Sequence, residues 1–138
     1  MGFLSKKSML VSLLALSLVA CTSKPMVTGP LTIDIPSTCD GNVVPYVRTI
    51  DKTQPAVIFQ AAACSDLDVN FKSDKNGNEK HFTDKQKSKT NGHPAVKFKY
   101  DGKSLLDDGA YFYYTTPEIP PGKSTDGGGG GIIKNYVN

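Results

Sequence analysis

The sequence predicts an all-β fold, a small β-sandwich, from three observations. Apolar and polar residues alternate with a period of two in several short segments, turn-forming Asn-Gly and Asp-Gly pairs separate these segments, and no long amphipathic helical pattern competes with them. Each alternating segment is typical of a strand with one buried and one solvent-facing side. Short strands separated by turns, in a chain of 138 residues, favour two packed antiparallel sheets.

The strand predictions differ in the pattern that supports them. The alternation is clearest in Leu31–Ile35, Leu67–Phe71 and Val96–Tyr100. Two further segments are predicted as strands because they are rich in β-branched and aromatic residues, Val43–Ile50 and Ala110–Thr116. Ala56–Cys64 fits either a buried strand or a helical turn.

Turns are predicted at Asp40-Gly41-Asn42, Asn76-Gly77-Asn78, Asn91-Gly92 and Asp101-Gly102. Asn76-Gly77 is the strongest signal for a hairpin, because a type I′ turn needs positive φ at both central positions. Asp74, Asn76 and Asn78 also have the spacing of a calcium loop. Glu79 stands where that loop requires glycine, so we predict a hairpin tip and no metal site.

The first twenty residues have the layout of a cleavable export signal. Lys6 and Lys7 precede thirteen uncharged residues, Ser8–Ala20, a run too short to cross a bilayer, which needs about 20 apolar residues. The run ends in Leu18-Val19-Ala20-Cys21, which resembles the lipobox of bacterial lipoproteins. The alternative is a buried hydrophobic helix with an incidental cysteine.

The lipobox resemblance implies where the protein is located. In that family the lipobox cysteine, here Cys21, receives a diacylglycerol thioether, the signal is cut before it, and the new amino terminus is acylated. The resemblance therefore implies attachment to a lipid bilayer through acylated Cys21. Thr22 is not the aspartate that retains such proteins in the inner membrane, so it implies the outer membrane, on its periplasmic side or at the cell surface, if the organism is Gram-negative.

Removal of the signal leaves a nearly neutral chain. Two of the 16 basic residues leave with it, so 14 basic and 13 acidic residues remain. Bulk charge then predicts no particular partner, and neither charge nor compartment favours nucleic acid. The predicted organisation is a signal peptide over 1–20, the lipidated cysteine and a tether over 21–30, a sandwich domain over 31–116, and a Pro/Gly-rich segment with a possible last strand over 117–138.

Two cysteines remain once Cys21 carries lipid. Cys39 and Cys64 would lie in an oxidising compartment, where disulfides persist, and a bridge between them would close a loop of 26 residues. We therefore predict a Cys39–Cys64 disulfide. The alternative is two buried free thiols.

A short stretch before an aromatic strand refines the fold prediction. Leu106-Asp107-Asp108-Gly109-Ala110-Tyr111-Phe112-Tyr113 resembles the corner before strand F of immunoglobulin-like domains. The resemblance implies an immunoglobulin-like or related sandwich, in which Asp107 lies at the turn, Gly109 allows a tight approach, and the Tyr111 hydroxyl bonds back to the backbone. The alternative is a plain turn leading into an aromatic strand.

No pattern supports catalysis or a cofactor. His81 and His93, the only histidines, lie in polar surroundings without a recognisable nucleophile. Asp107 and Asp108 are adjacent, and neighbours on a strand face opposite ways. Pro121-Gly122-Lys123-Ser124-Thr125 ends like a phosphate-binding loop but lacks its first glycine. We predict no enzyme, no catalytic residue and no cofactor.

Two features point to binding. The segment Lys72–Lys103 has nine lysines against four acids, so Lys85, Lys87 and Lys89 are candidates for contact with an anionic envelope component or an acidic protein; the alternative is a solvated loop. Five glycines, Gly127–Gly131, precede an apolar stretch that contains the candidates Ile132, Ile133 and Tyr136. This stretch is either the last strand of its own sandwich, with the glycines as a long loop, or a strand added to a partner's sheet.

These observations predict a membrane-anchored lipoprotein whose sandwich is a non-catalytic binding or adaptor module, with an envelope protein or anionic envelope component as partner. Two alternatives remain: an inhibitor or immunity lipoprotein against an incoming enzyme, and a structural accessory of a secretion or conjugation machine.

Overall fold

The computed structural model describes residues 27–35, 46–62, 64–116 and 128–136. The signal, Cys21, Cys39, the Asp40-Gly41-Asn42 turn and Pro121–Thr125 lie outside these residues. The described part contains one short 3-10 helix, Asn78–His81, and eight strands: β1 Leu31–Ile35, β2 Tyr46–Ile50, β3 Ala56–Ala61, β4 Asp68–Phe71, β5 Phe82–Thr90, β6 His93–Tyr100, β7 Ala110–Thr115 and β8 Gly128–Asn135. None of its helices has the length and apolar character needed to cross a membrane.

The strands form two sheets of four, so the predicted β-sandwich is confirmed. Their orders are β1-β3-β6-β5 and β2-β8-β7-β4. The prediction of purely antiparallel sheets is wrong at two pairs, because β1 and β3 are parallel and so are β2 and β8. The chain passes through β2 in the opposite sheet between β1 and β3, so β3 starts at the same end as β1.

The alternation of apolar and polar residues is visible in the burial of the strands. In β7, alternate residues are buried, and in β6 Val96, Phe98 and Tyr100 are buried while Lys97 and Lys99 are exposed. The ambiguous segment is a strand over Ala56–Ala61, with three of its six residues, Val57, Phe59 and Ala61, fully buried. The inner faces of both sheets thus form one hydrophobic core.

Aromatic rings join the two sheets at the centre of the core. Phe59 on β3 lies 4.8 Å, centroid to centroid, from Phe112 on β7 in the opposite sheet. Phe71 on β4 stacks on Phe82 of β5 at 4.3 Å and meets Phe98 edge-on at 5.0 Å. Each ring pair in such a geometry stabilises the fold by about 0.5–1.5 kcal/mol beyond the burial of its apolar area.

The C-terminal glycines belong to a strand. β8 pairs in parallel with β2 and antiparallel with β7, so the last strand lies within its own sandwich. The expected long glycine loop is wrong for Gly128–Gly131, which are part of β8. Gly129 and Gly131 face the core, where a Cβ would overlap the Tyr114 ring at the first position and the backbone of Tyr46 at the second. Glycine therefore allows a close approach that other residues prevent.

The type I′ turn forms at a different Asn-Gly pair from the one expected. Asn91 and Gly92 have φ of 52° and 82° and join the hairpin strands β5 and β6. The hairpin prediction at Asn76-Gly77 is wrong, because β4 and β5 belong to different sheets. There the Asp74 carboxylate accepts the backbone N–H of Asn76 at 2.7 Å, and Gly77 is the N-cap residue before the 3-10 helix.

The turn before β7 is held by a buried asparagine. The Asn78 side chain is 1% exposed; its amide donates to the carbonyls of Leu106 and Gly109, and its oxygen accepts the N–H of Leu106. Asp107 and Gly109 have positive φ. Tyr111 does not make the expected bond back to the backbone among the described residues: Ala110 faces the core, so Tyr111 faces solvent, with its hydroxyl beside the Asp108 carboxylate.

Two of the five positive-φ glycines among the described residues, Gly109 and Gly92, allow a matched test of this turn. Gly92→Ala meets open space and should cost about 1–2 kcal/mol of unfolding free energy for its left-handed backbone alone. Gly109→Ala adds overlap with the Ile133 carbonyl and should cost about 2–5 kcal/mol. Urea denaturation followed by circular dichroism measures both. Equal losses would contradict this account of Gly109.

Candidate functional site

The outer side of the second sheet carries a group of four apolar and aromatic side chains, three of which are exposed. We call Val47, Tyr111, Tyr113 and Ile132 the tyrosine face. The strand register places Val47, Ile132 and Tyr111 in one row across β2, β8 and β7, and Tyr113 lies in the next row beside Gly130. Residues paired across neighbouring strands point to the same side of a sheet, so all four face away from the core.

A shallow groove of about 440 Å³ runs along β8 on this face. Tyr111 and Tyr113 line it on one side and Val47 on the other, with Gly130 between them. Because Gly130 has no side chain, the backbone of β8 forms the floor. That backbone is paired with β2 and β7 on both sides, so the floor does not offer a free strand edge.

The exposure of these residues distinguishes this face from the rest of the surface. Val47 is 57% exposed, and Tyr111 and Tyr113 are each 42% exposed. Together they are three of the six large hydrophobic side chains that are exposed among the described residues. Ile132 is 8% exposed and closes the row between Val47 and Tyr111.

Charged groups of opposite sign lie at the Tyr111 end of the groove. Lys72 lines the groove, and its backbone N–H donates to the Tyr111 carbonyl at 2.8 Å. Partial burial raises the pKa of the Tyr111 phenol, and the charge of the neighbouring Asp108 carboxylate raises it further. The hydrogen bond between the phenol and the Asp108 carboxylate acts in the same direction, with the phenol O–H as the donor.

Two of the three lysines predicted to bind a partner form ion pairs within the domain. Lys85 Nζ lies 2.7 Å from Asp68 Oδ1 and donates to Asn70 at 2.8 Å, and Lys87 Nζ lies 3.4 Å from the same Asp68 oxygen. These contacts link edge strand β5 to edge strand β4 across the sandwich. Lys89 is exposed near the end of β5. Charges on edge strands also discourage pairing with other chains.

The C-terminal candidates lie in three different environments. Ile132 belongs to the tyrosine face, Ile133 is fully buried in the core, and Tyr136 is 47% exposed just after β8. The Tyr136 N–H donates to the Ile50 carbonyl at 3.0 Å. Val47, Tyr111 and Tyr113 are not among the binding residues that the sequence predicts. The alternation in Ala110–Thr115, which places alternate residues outward, could have indicated the two tyrosines.

His81, His93 and Cys64 lie in three different environments. His81 Nδ1 lies 2.9 Å from Asp101 Oδ2, a contact that links the 3-10 helix to the turn after β6. His93 is exposed at the start of β6. Within residues 27–35, 46–62, 64–116 and 128–136, no three His, Cys, Asp or Glu side chains form a group suited to a metal ion. Cys64 is 7% exposed, and its pairing with Cys39 stays a prediction.

The chain matches no protein-family model and no curated protein. Among solved structures it is similar to the cysteine protease inhibitor EhICP2 from Entamoeba histolytica. The TM-score is 0.35 and the sequence identity 7%, over 78% of this chain and 97% of that chain. A likeness at this level carries no inference about activity.

The Asp68 ion pairs make stability depend on pH. The hydrogen bond from Lys85 holds the pKa of the Asp68 carboxyl below its usual value, although partial burial opposes this shift. A lowered carboxyl pKa stabilises the fold above the unfolded pKa of about 3.9, and this contribution is lost as the pH falls through the folded value. Asp68→Asn should therefore cost less than about 1 kcal/mol at pH 6, since the pair is partly exposed, and almost nothing at pH 2.5.

Urea denaturation at the two pH values measures this difference. Lys85→Met should reduce the same pH-dependent contribution, whereas Lys97→Met, on the outer side of the first sheet, is the matched control and should not. A loss for Asp68→Asn that is the same at pH 6 and pH 2.5 would show that the carboxylate charge is not the cause.

Proposed function

We propose that this chain is a lipoprotein anchored to a bacterial membrane through acylated Cys21, and that its sandwich is a non-catalytic binding module for an envelope protein. The observation that supports binding is the tyrosine face, where exposed Tyr111, Tyr113 and Val47 flank the groove over Gly130. The lipobox resemblance supports the anchor and the compartment.

The chemistry of the face favours a protein over an anionic envelope component. Tyrosines are enriched in protein interfaces because a rigid ring supplies contact area and its hydroxyl supplies a hydrogen bond. Lys72 and Asp108 at one end of the groove offset each other in charge. The lysines that an anionic ligand would use are engaged in part, since Lys85 and Lys87 are paired with Asp68.

The partner is expected to bind through side chains. Strand addition needs an unpaired sheet edge, and the floor of the groove is the central strand β8, whose neighbours are β2 and β7. An aromatic or apolar side chain of the partner that enters the groove between Tyr113 and Val47 would exclude water from both.

The anchor leaves this face accessible. The chain that leads from Cys21 meets the domain at the turn after β2. There Gln54 Nε2 donates to the Gly29 carbonyl, and the Thr53 hydroxyl oxygen lies 3.2 Å from the Val27 carbonyl. Five residues lie between Cys21 and Val27, and the six steps along the chain span at most about 20 Å. The end of the sandwich at which β1 begins would therefore lie close to the bilayer. The tyrosine face would then lie on a side of the sandwich, not at the end that faces the membrane.

The anchor is tested by replacing Cys21. In cells that make the full chain, labelled palmitate should be incorporated into the protein and the protein should sediment with membranes. Cys21→Ser should abolish both, because no thiol remains to accept lipid. Cys64→Ser is a control that should leave acylation intact. A mature protein that retains Met1 and an unmodified Cys21 thiol by mass spectrometry would overturn the anchor.

The binding surface is tested by photo-crosslinking in the same cells. A photoreactive phenylalanine at position 113 or position 47 should give the same adduct with an envelope protein. Tyr111→Ser, which leaves the core untouched, should weaken capture at position 47 by about 2 kcal/mol in affinity, near thirtyfold, if Tyr111 is a binding hot spot.

Positions 97 and 136 are the matched controls for this experiment. Lys97 is exposed on the opposite sheet, and Tyr136 is an exposed tyrosine away from the groove. Neither should give the adduct. Equal capture at position 97, an adduct of two copies of this chain, or the absence of any adduct would overturn the proposed surface. A captured toxin-like enzyme or assembly subunit would identify the module as an inhibitor or as a machine accessory.

A further inference from the structure

The described chain contains the dipeptide Asn-Gly twice, and the two copies have different surroundings. Asn-Gly is the dipeptide most prone to deamidation, because glycine has no side chain to hinder attack by its backbone nitrogen on the preceding amide. The reaction needs a free attacking nitrogen and a free side-chain amide. The surroundings of Asn76-Gly77 and Asn91-Gly92 therefore decide which of them reacts.

Asn76-Gly77 is held at both reacting groups. The Asn76 Nδ2 donates to Asp107 Oδ2 at 2.8 Å, and the Asn76 backbone N–H donates to Asp74 Oδ1 at 2.7 Å. The attacking nitrogen of Gly77 donates to the Asp74 carbonyl at 3.1 Å. At least two hydrogen bonds must open before the Gly77 nitrogen can reach the Asn76 amide carbon.

Asn91-Gly92 lies at the exposed tip of the β5–β6 hairpin. Residue pairing ends at Thr90 and His93, so both residues of the turn lie beyond the last paired positions. Within the part of the chain that the structure describes, neither the Asn91 side chain nor the Gly92 N–H has a hydrogen-bond partner. The space beside the Gly92 Cα is open, with no heavy atom within 4 Å of an added Cβ.

We propose that Asn91 is a site of spontaneous deamidation in the folded protein and that Asn76 is protected. The Gly92 nitrogen gives up its proton to solvent base and bonds to the Asn91 Cγ, and the side-chain amide leaves as ammonia. Water then opens the resulting cyclic imide at one of its two carbonyls. The products are an aspartate or an isoaspartate at position 91.

Both products change the hairpin tip. Either one adds a carboxylate close to Lys89 and His93, so the net charge of the protein falls by one. Isoaspartate also adds a methylene to the backbone of a two-residue turn. The type I′ geometry depends on two consecutive positive-φ residues, so this product should loosen the end of β5 and β6.

The test uses the full mature chain in its folded state. It is kept at pH 8.5 and 37 °C in ¹⁸O water, then digested with trypsin. Trypsin cleaves after lysine, so Asn91 is recovered in peptide 90–97 and Asn76 in peptide 76–80. The two sites are therefore measured separately. Fragment ions distinguish Asn76 from Asn78. We expect Asn91 to react at least about tenfold faster than Asn76, the factor expected if the hydrogen bonds at Asn76 must first open.

Two controls assign the difference to the fold. In denaturing urea the two rates should converge, because both sites are then flexible Asn-Gly sequences. Asp107→Gly, which tolerates the positive φ at that position, removes the acceptor of the Asn76 amide and should accelerate Asn76 without changing Asn91. Asn76 reacting as fast as Asn91 in the folded protein, or the same ratio in urea, would overturn the proposal.

Discussion

Strand β8 can lie at the centre of its sheet because its glycines leave room for aromatic rings from the neighbouring strand. Gly129 and Gly131 face the core, and the Tyr114 ring occupies the space of the missing side chain at Gly129. Phe112, which is paired with Gly131, is in ring contact with Phe59 of the opposite sheet, so the contact between the sheets depends on this approach. On the outer side of the sheet, the groove exists because Gly130 has no side chain to fill it. A single run of glycines thus serves both the core and the candidate binding surface.

The elements that follow local rules were predictable, and those that depend on a partner strand were not. Alternation predicted β1, β4 and β6, and the β-branched and aromatic composition of Ala110–Thr116 predicted β7. Both signals are local, because each of these strands has one face toward the core. Glycine is disfavoured in strands, so the start of β8 at Gly128 depends on its pairing with β7 and on the close approach of the Phe112 and Tyr114 rings. The Asn-Gly turn signal is likewise local. The signal predicts a turn, but it does not predict which sheet the next strand joins. After Asn91 the chain returns to the same sheet, whereas after Asn76 it crosses to the other sheet.

The same distinction applies to the site. Lysine-rich composition predicted a basic binding segment, but composition contains no information about Asp68, which is distant in sequence and meets Lys85 and Lys87 only when β4 and β5 become facing edges. The two tyrosines were accessible to the alternation rule, since Tyr111 and Tyr113 have the same parity in β7. Their combination with Val47 was not accessible, because it depends on the insertion of β8 between β2 and β7.

The direction of β7 relates the candidate surface to the proposed anchor. β1 starts at the end of the sandwich where Val27 and Gly29 contact the turn after β2. β2 runs toward that end, and β8 is parallel to β2. Because β7 is antiparallel to β8, Ala110 at the start of β7 lies at the same end. Each residue in a strand adds about 3.3 Å, so Tyr113 lies about 7 Å further from the anchored end than Tyr111. A protein held by lipid at Cys21 would therefore present both rings sideways, parallel to the membrane plane. Under the proposal above, a partner that binds these rings would meet them beside the membrane that holds Cys21, within a distance set by the tether and the length of the sandwich.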